Sequence, residues 1–257
     1  DSRPDRRPAA VPDRRPAAVP DSARKAAVLG SPIAHSRSPQ LHLAAYRALG
    51  LGEWTYDRIE CSAQQLPGLV GGLGPEWVGL SVTMPGKFAA LKFADQHTER
   101  CLLAGSANTL LRTPTGGWRA DNTDIDGVIG ALGMAGYAAL VVGSGGTAPA
   151  AIVGLAQLGV QRITIAARDA GKAARLVEQA DRSGVQADWC DIAGDTLATA
   201  AAAVSVAVST VPADAAANYA PSLATVPRLL DAIYDPWPTP LAAAVEAAGG
   251  EVISGLH

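Results

Sequence analysis

The stretch Ser81-Val82-Thr83-Met84-Pro85-Gly86-Lys87 turns abruptly from an apolar strand pattern into a proline-glycine turn carrying one lysine. That lysine stands out because the chain holds four lysines against seventeen arginines, so a bare positive charge is almost always supplied by arginine. An ammonium gives up its proton when its surroundings disfavour charge, whereas a guanidinium does not, so Lys87 is suited to proton transfer. Taken alone it also fits a solvated lysine at the start of a helix. Other polar residues recur in short sets. Gly30-Ser31-Pro32-Ile33-Ala34-His35-Ser36-Arg37-Ser38-Pro39 follows the first apolar run, Ser81 and Thr83 share one face of their strand, Asn108 and Thr109 sit in another, and Asp121-Asn122-Thr123-Asp124 opens a later connection. Each set alone reads as a turn or a cap, with Ser38 capping a helix that has Pro39 at its first position. Together they describe a crevice of hydroxyls, an amide, a carboxylate and one lysine, suited to a polyhydroxylated carboxylic acid rather than an apolar ligand.

The second chemical signal is Gly143-Ser144-Gly145-Gly146-Thr147-Ala148, which follows an apolar strand and opens a helix. The first glycine permits the tight turn, the second lets backbone N–H groups approach a pyrophosphate, and Ala148 fills the small position where helix meets strand. The helix N-terminus then faces the anion. The end of the next strand selects the dinucleotide. An NAD site places a carboxylate there for the ribose hydroxyls, whereas a 2′-phosphate calls for a cation. Here stand Ala167-Arg168-Asp169, with Lys172 following at helical spacing, which predicts NADP. Asp169 reads either as the cap of the helix starting near Gly171 or as a carboxylate that weakens phosphate selectivity.

The elements that must position these residues alternate in the α/β rhythm. Strands are predicted at 26–29, 55–61, 78–83 and 107–111, with an edge strand at 116–120 and helices at 39–49, 63–71, 87–94 and 124–132. A second unit follows Gly133 and Gly136: strand 138–142, helix 147–158, strand 162–167 and helix 171–179, then strands at 187–190, 204–209, 229–234 and 251–254. The alanine-rich segments 198–203 and 213–217 are helix-prone and carry no chemistry. The fold class is α/β in two domains, residues 24–124 and 125–257, the second Rossmann-like, with the active-site cleft between them.

Composition narrows the function classes. The chain of 257 residues carries a net charge of −3, and its basic residues are dispersed beyond the first 25 positions, so neither nucleic acid nor an anionic membrane is implied. Cys61, Cys101 and Cys190 are odd in number, widely separated and without zinc-site spacing, which points to a reducing cytoplasm and to no metal centre. No apolar run has the length of a membrane span. Residues 5–12 read DRRPAAVP and 13–20 repeat them. Residues 1–23 are therefore expected to form an extended, mobile tail, either a basic docking arm or a dispensable segment.

At these motifs the chain resembles the shikimate dehydrogenase family over residues 25–257. The family's G-x-P-x-x-H-S-x-S-P appears at 30–39, its V-T-x-P-x-K at 82–87, its A/V-N-T at 107–109 and its N-T-D at 122–124. The glycine loop at 143–148 fits as well, as do Asp231-Ala232-Ile233-Tyr234 and Thr239-Pro240-Leu241. The resemblance implies NADPH-dependent reduction of 3-dehydroshikimate to shikimate, in the pathway to chorismate and the aromatic amino acids, by a monomer or homodimer. It implies that Ser36 and Ser38 hold the substrate carboxylate, that Thr83, Asn108, Asp124 and Tyr234 line the ring hydroxyls, and that Lys87 and Asp124 are the catalytic pair. On the cofactor side it places Ala232 and Gly255 beside the nicotinamide and Thr210, Val211 and Pro212 on a neighbouring loop. It also has Glu99 reaching the cofactor across the cleft.

The departures are specific. The family has asparagine where Ser81 stands, and asparagine-arginine-threonine where Ala167-Arg168-Asp169 stand. It also continues past the final glycine-leucine into a helix that supplies a substrate-binding glutamine, whereas this sequence ends Gly255-Leu256-His257. Two further readings stay open at this point: a quinate or aminoshikimate dehydrogenase using NAD, and a dinucleotide-binding homologue without catalysis.

Overall fold

The computed structural model describes residues 23–256, and the expected tail at 1–23 lies outside them apart from Ala23. Six strands form the first sheet: β1 (Lys25–Gly30), β2 (Thr55–Glu60), β3 (Trp77–Val82), β4 (Gln96–His97), β5 (Thr109–Arg112) and β6 (Trp118–Asp121), ordered β2-β1-β3-β5-β6-β4. β1 is apolar on successive residues because both of its faces are covered. Ala27 and Leu29 enter one core cluster, Ala26 and Val28 another. β5 runs antiparallel to both neighbours, while every other pairing is parallel. That single reversal brings the start of β5 to the edge where β1, β3 and β6 end. Asn108 is thereby delivered to the same place as Thr83 and Asp124, its N–H donating to the Asp121 carbonyl at 3.1 Å and its own carbonyl accepting from Val82 N at 2.6 Å.

The second sheet contains β7 (Ala138–Val142), β8 (Arg162–Ala167), β9 (Gln186–Asp191), β10 (Val206–Ser209), β11 (Arg228–Asp231) and β12 (Glu251–Ser254). All its pairings are parallel. The order β12-β11-β10-β7-β8-β9, counted from β7, is 6-5-4-1-2-3, the doubly wound order whose direction reverses between β7 and β10. Alternate residues of β7 again serve opposite faces, Ala139 and Val141 one cluster, Leu140 and Val142 the other. The α/β class and its open sheets are as the sequence pattern predicts.

Several boundaries differ from expectation for identifiable reasons. The strand expected at 116–120 is not an edge, because β4 pairs on its outer side. The strand expected to reach Tyr234 ends at Asp231, whose carboxylate accepts from Ile233 N at 3.1 Å and from Thr239 Oγ1 at 2.6 Å and so turns the chain. Burial of Asp231 pushes its carboxyl up in pKa, with these donors opposing the shift. The helix Glu99–Ala104, capped by Thr98, was not anticipated. No helix among the described residues is long and apolar enough to cross a membrane.

Gly143 leaves β7 with φ +108, and a Cβ there would stand 2.7 Å from Thr210 Oγ1 and 2.8 Å from the Val211 side chain. Both the backbone region and the close approach require glycine. Gly143→Ala is expected to cost about 1–3 kcal/mol of stability, read from the urea midpoint; an unchanged midpoint would refute this account of the turn.

Candidate active site

The carboxyl edges of the two sheets face each other, and three cavities meet between them. The largest, about 600 Å³, is lined by Ser36, Ser38, Thr83, Lys87, Asn108, Asp124 and Tyr234, so every residue predicted to hold substrate lies on one wall or another of it. A second, of about 260 Å³, runs past Gly145, Gly146, Thr147, Thr210, Pro212 and Ala232. The third brings Gly255 and Ala232 to Asp124. Thr83, Lys87 and Tyr234 border all three.

Lys87 begins the helix Lys87–Phe93 and is 8% exposed, which excludes the solvated-lysine reading. Its Nζ donates to Asp124 Oδ2 at 2.5 Å and to Thr147 Oγ1 at 2.9 Å. An ammonium has three donors, so two are committed and one remains for a ligand. The pair crosses from the first sheet to the helix Asp124–Leu132, and Thr147 joins them from the glycine loop. Asp124 is aimed by its neighbours. Asn108 Nδ2 donates to its Oδ1 at 2.7 Å, and Asn122 Oδ1 accepts from its backbone N–H at 3.1 Å. Asn122 is fully buried, with its Nδ2 donating to Ser106 O and Oγ. Asn108 is saturated in this arrangement: its other donor goes to Thr123 Oγ1, and its oxygen accepts from Thr109 Oγ1 and Thr123 N.

The helix Ser38–Ala48 starts without a side-chain cap and has Arg37 at the N-cap position, so Ser38 is not the cap that its sequence context suggests. Pro39 has no N–H to satisfy, and Ser38 N donates instead to Ser36 Oγ at 3.3 Å. Both serine hydroxyls therefore line the cavity at a helix N-terminus, where a carboxylate is favoured. Tyr234 reaches the cavity from the loop after β11 rather than from a strand.

In the glycine loop, a Cβ at Gly145 would meet nothing within 4 Å, which leaves an open approach over the backbone. Ser144 is half-buried, and Ala148 starts the helix Ala148–Gln157 fully buried within the core. At the end of β8, Ala167 is buried, its carbonyl accepting from Trp189 Nε1 at 2.9 Å, while Arg168 and Lys172 are exposed. Asp169 is the N-cap of the helix Ala170–Arg182: its Oδ1 accepts from Lys172 N at 2.9 Å, and that hydrogen bond is the main cause of its lowered carboxyl pKa. Val211 packs beside Gly143. Glu99 is exposed in the first turn of its helix, outside the three cavities, and Arg168 and Lys172 also stand outside them.

Sequence reasoning missed two supports. Arg100 Nε and Nη2 bind both oxygens of Asp121 at 2.7 Å, Arg100 Nη1 bonds Asp126, and Thr98 Oγ1 adds 2.7 Å to Asp121 Oδ1. This clamp fixes the residues leading to Asp124. The other support is the face Tyr56, Arg58, Glu60 of β2, which the sequence does not single out because Thr55 and Asp57 between them are polar as well. Arg58 Nε and Nη2 donate to Ser36 O at 2.9 and 2.6 Å, and Glu60 accepts from Ser31 Oγ at 2.6 Å.

The Arg100 hydrogen bond is the main cause that holds the Asp121 carboxyl at about 2 rather than its ordinary 3.8. A carboxyl lowered in the folded state stabilises above its unfolded pKa and loses that contribution as pH falls through the folded one. Wild type is therefore expected to lose stability between about pH 4 and pH 2, and Asp121→Asn to flatten that acid limb, in urea midpoints measured against pH. Parallel acid limbs in the two proteins would refute the clamp.

The Shikimate dehydrogenase substrate binding domain model matches residues 28–110. A shikimate dehydrogenase (NADP(+)) of Methylobacterium radiotolerans is 34% identical over 257 residues, covering 90% of this chain and 86% of that protein. The crystal structure of a shikimate 5-dehydrogenase from Mycobacterium fortuitum is 77% identical with a TM-score of 0.82, covering 93% of this chain and 88% of that one. Mycobacterium tuberculosis shikimate dehydrogenase is 70% identical with a TM-score of 0.85, covering 91% of this chain and 88% of that one. With this site and these relatives, the chain belongs to the shikimate dehydrogenase family.

Proposed function

We infer that the protein catalyses the reversible NADPH-dependent reduction of 3-dehydroshikimate to shikimate. The observation that carries this reading is the Lys87–Asp124 ion pair where the three cavities meet, with one ammonium hydrogen uncommitted. Residues 24–124 form the substrate half and residues 125–257 the cofactor half.

The residues present suit a dinucleotide with a 2′-phosphate. The open backbone at Gly145 and the N-terminus of the helix Ala148–Gln157 suit the pyrophosphate, with Gly143, Ser144, Gly146 and Thr147 completing the loop. Arg168 and Lys172 offer two exposed cations beside Ala167, and the Asp169 carboxylate is turned into its helix as a cap. Thr210, Val211 and Pro212 border the loop from β10, Ala232 and Gly255 wall the nicotinamide end, and the family resemblance adds Glu99, which is exposed on the other half. Bound NADPH supplies the hydride.

Ser36 and Ser38 receive the substrate carboxylate at their helix N-terminus, leaving the ring to extend over Thr83 towards Asn108, Asp124 and Tyr234. Reduction of the ketone builds negative charge on its oxygen. The free hydrogen of Lys87 Nζ stabilises that charge and is then transferred to the oxygen, while Asp124 holds the ammonium in place. In the reverse direction the neutral amine takes the hydroxyl proton. Asn108 aims Asp124 through its Nδ2.

Lys87→Ala is expected to lower kcat by about 10²–10⁴-fold while shikimate still binds, measured by NADPH absorbance with shikimate and NADP⁺. The same assay crossed with quinate and NAD⁺ tests the substrate and cofactor assignment, with shikimate and NADP⁺ expected to give the highest kcat/KM. Unchanged turnover in Lys87→Ala, or no turnover of any pair by the wild type, would overturn the reading.

A further inference from the structure

Tyr56 does more than its neighbours on β2. Arg58 and Glu60 hold the backbone and rim of the loop at 31–36, whereas Tyr56 passes over β1 and reaches β3. Its Oη donates to Ser81 Oγ at 2.6 Å. Tyr56 is 5% exposed, and the His42 ring stacks on it with centroids 4.1 Å apart at 17°. His42 is itself fixed, since its Nδ1 donates to the Ser38 carbonyl at 2.9 Å. Tyr56, Ser81, Ser38 and His42 all line the cavity that holds Lys87 and Asp124.

We propose that Tyr56 is a positioning residue for the substrate, acting through Ser81 to fix the direction in which that hydroxyl faces the cavity. The inference rests on the function proposed above. A serine hydroxyl has one hydrogen and two lone pairs. The phenol occupies a lone pair of Ser81, and among the described residues Ser81 Oγ has no second hydrogen-bond partner, so its hydrogen is left for an acceptor in the cavity. Through its stack on His42, which bonds the Ser38 carbonyl, Tyr56 also links the end of the cavity walled by Ser36 and Ser38 to β3, which leads into Thr83. Burial pushes the Tyr56 hydroxyl up to about 12, so it stays a donor throughout the range in which the enzyme would be assayed. An immobilised hydroxyl donor binds better than a freely rotating one, because the cost of ordering it has already been met.

Tyr56→Phe keeps the ring and its stack on His42 and removes only the hydroxyl. Shikimate Kd by titration calorimetry and shikimate KM are expected to rise about tenfold, the loss of one net neutral hydrogen bond. kcat is expected to stay within about twofold and the KM for NADP⁺ to remain unchanged. Ser81→Ala is expected to raise the shikimate Kd similarly, and the double variant to bind no worse than Ser81→Ala alone, because the phenol has then lost the group through which it acts. A purely structural role would lower Tm and depress kcat and NADP⁺ affinity together, without this coupling. Tyr56→Phe binding shikimate like wild type, or effects that add in the double variant, would overturn the proposal. If Tyr56→Phe does not fold, Ser81→Ala carries the test, and wild-type affinity in that variant overturns it. An active wild type with an indifferent Tyr56→Phe removes this inference alone, whereas a wild type that neither binds shikimate nor turns it over removes the proposed function and this inference with it.

Discussion

A lysine ammonium shut away from water must find partners, and in this chain the partners come from two places. Lys87 also sits at the first position of a helix, where the helix dipole disfavours a cation. Asp124 compensates from the first turn of another helix, where the same effect favours a carboxylate, and Thr147 adds a second contact from the glycine loop. Removing Asp124 would strand a nearly buried charge, which is far costlier than any exposed ion pair is worth. Much of the surrounding polar structure follows from keeping that carboxylate aimed: Asn108 bonds it directly, Asn122 holds the backbone N–H of the same residue, and Asp121 and Arg100 hold the chain that leads to it.

The topology makes this pair possible. In a fully parallel first sheet, the residue before β5 would lie at the far edge, and Asn108 would be a strand length from Asp124. The antiparallel β5 brings it back. In the second sheet no such device is needed, because the chain leaves the neighbouring strands β7 and β10 towards opposite faces at the switch point, which opens a crevice at their carboxyl ends. Gly143 occupies the point of closest approach between those two strand ends, with Thr210 and Val211 against it. The two edges therefore present different chemistry: side-chain hydroxyls and carboxylate on one, exposed backbone on the other.

What the sequence made legible is what is local. The strand 138–142, the loop after it and the helix beyond follow from apolar runs and glycine spacing within about thirty residues, and the structure has them with the predicted bounds or within a residue. Lys87 was legible through the scarcity of lysine. What stayed hidden depends on partners remote in sequence. Arg100 resembles any surface arginine until β6 brings Asp121 against it. Tyr56 resembles a core aromatic until β3 supplies Ser81 two strands away. Ser38 was misread for the opposite reason: a serine followed by proline is the local signature of a cap, but the helix begins one residue earlier, and the hydroxyl is left to the cavity. Asp231 likewise ended a strand early, because its buried carboxylate binds two donors of the following turn.

Asp169 shows how structure separates two readings that sequence leaves level. A carboxylate at the end of the second strand of such a sheet would normally serve the ribose hydroxyls and favour NAD. Here its Oδ1 accepts from Lys172 N, its other oxygen lies 4.0 Å from Lys172 Nζ, and its backbone is in the extended conformation of an N-cap. Swinging that carboxylate out to a ribose would uncap the helix Ala170–Arg182 and leave Lys172 N without its acceptor. Helix capping thus holds the carboxylate in its present rotamer. The carboxylate whose place in the sequence suits a ribose is instead engaged by its own helix, as its N-cap and as the partner of Lys172 Nζ.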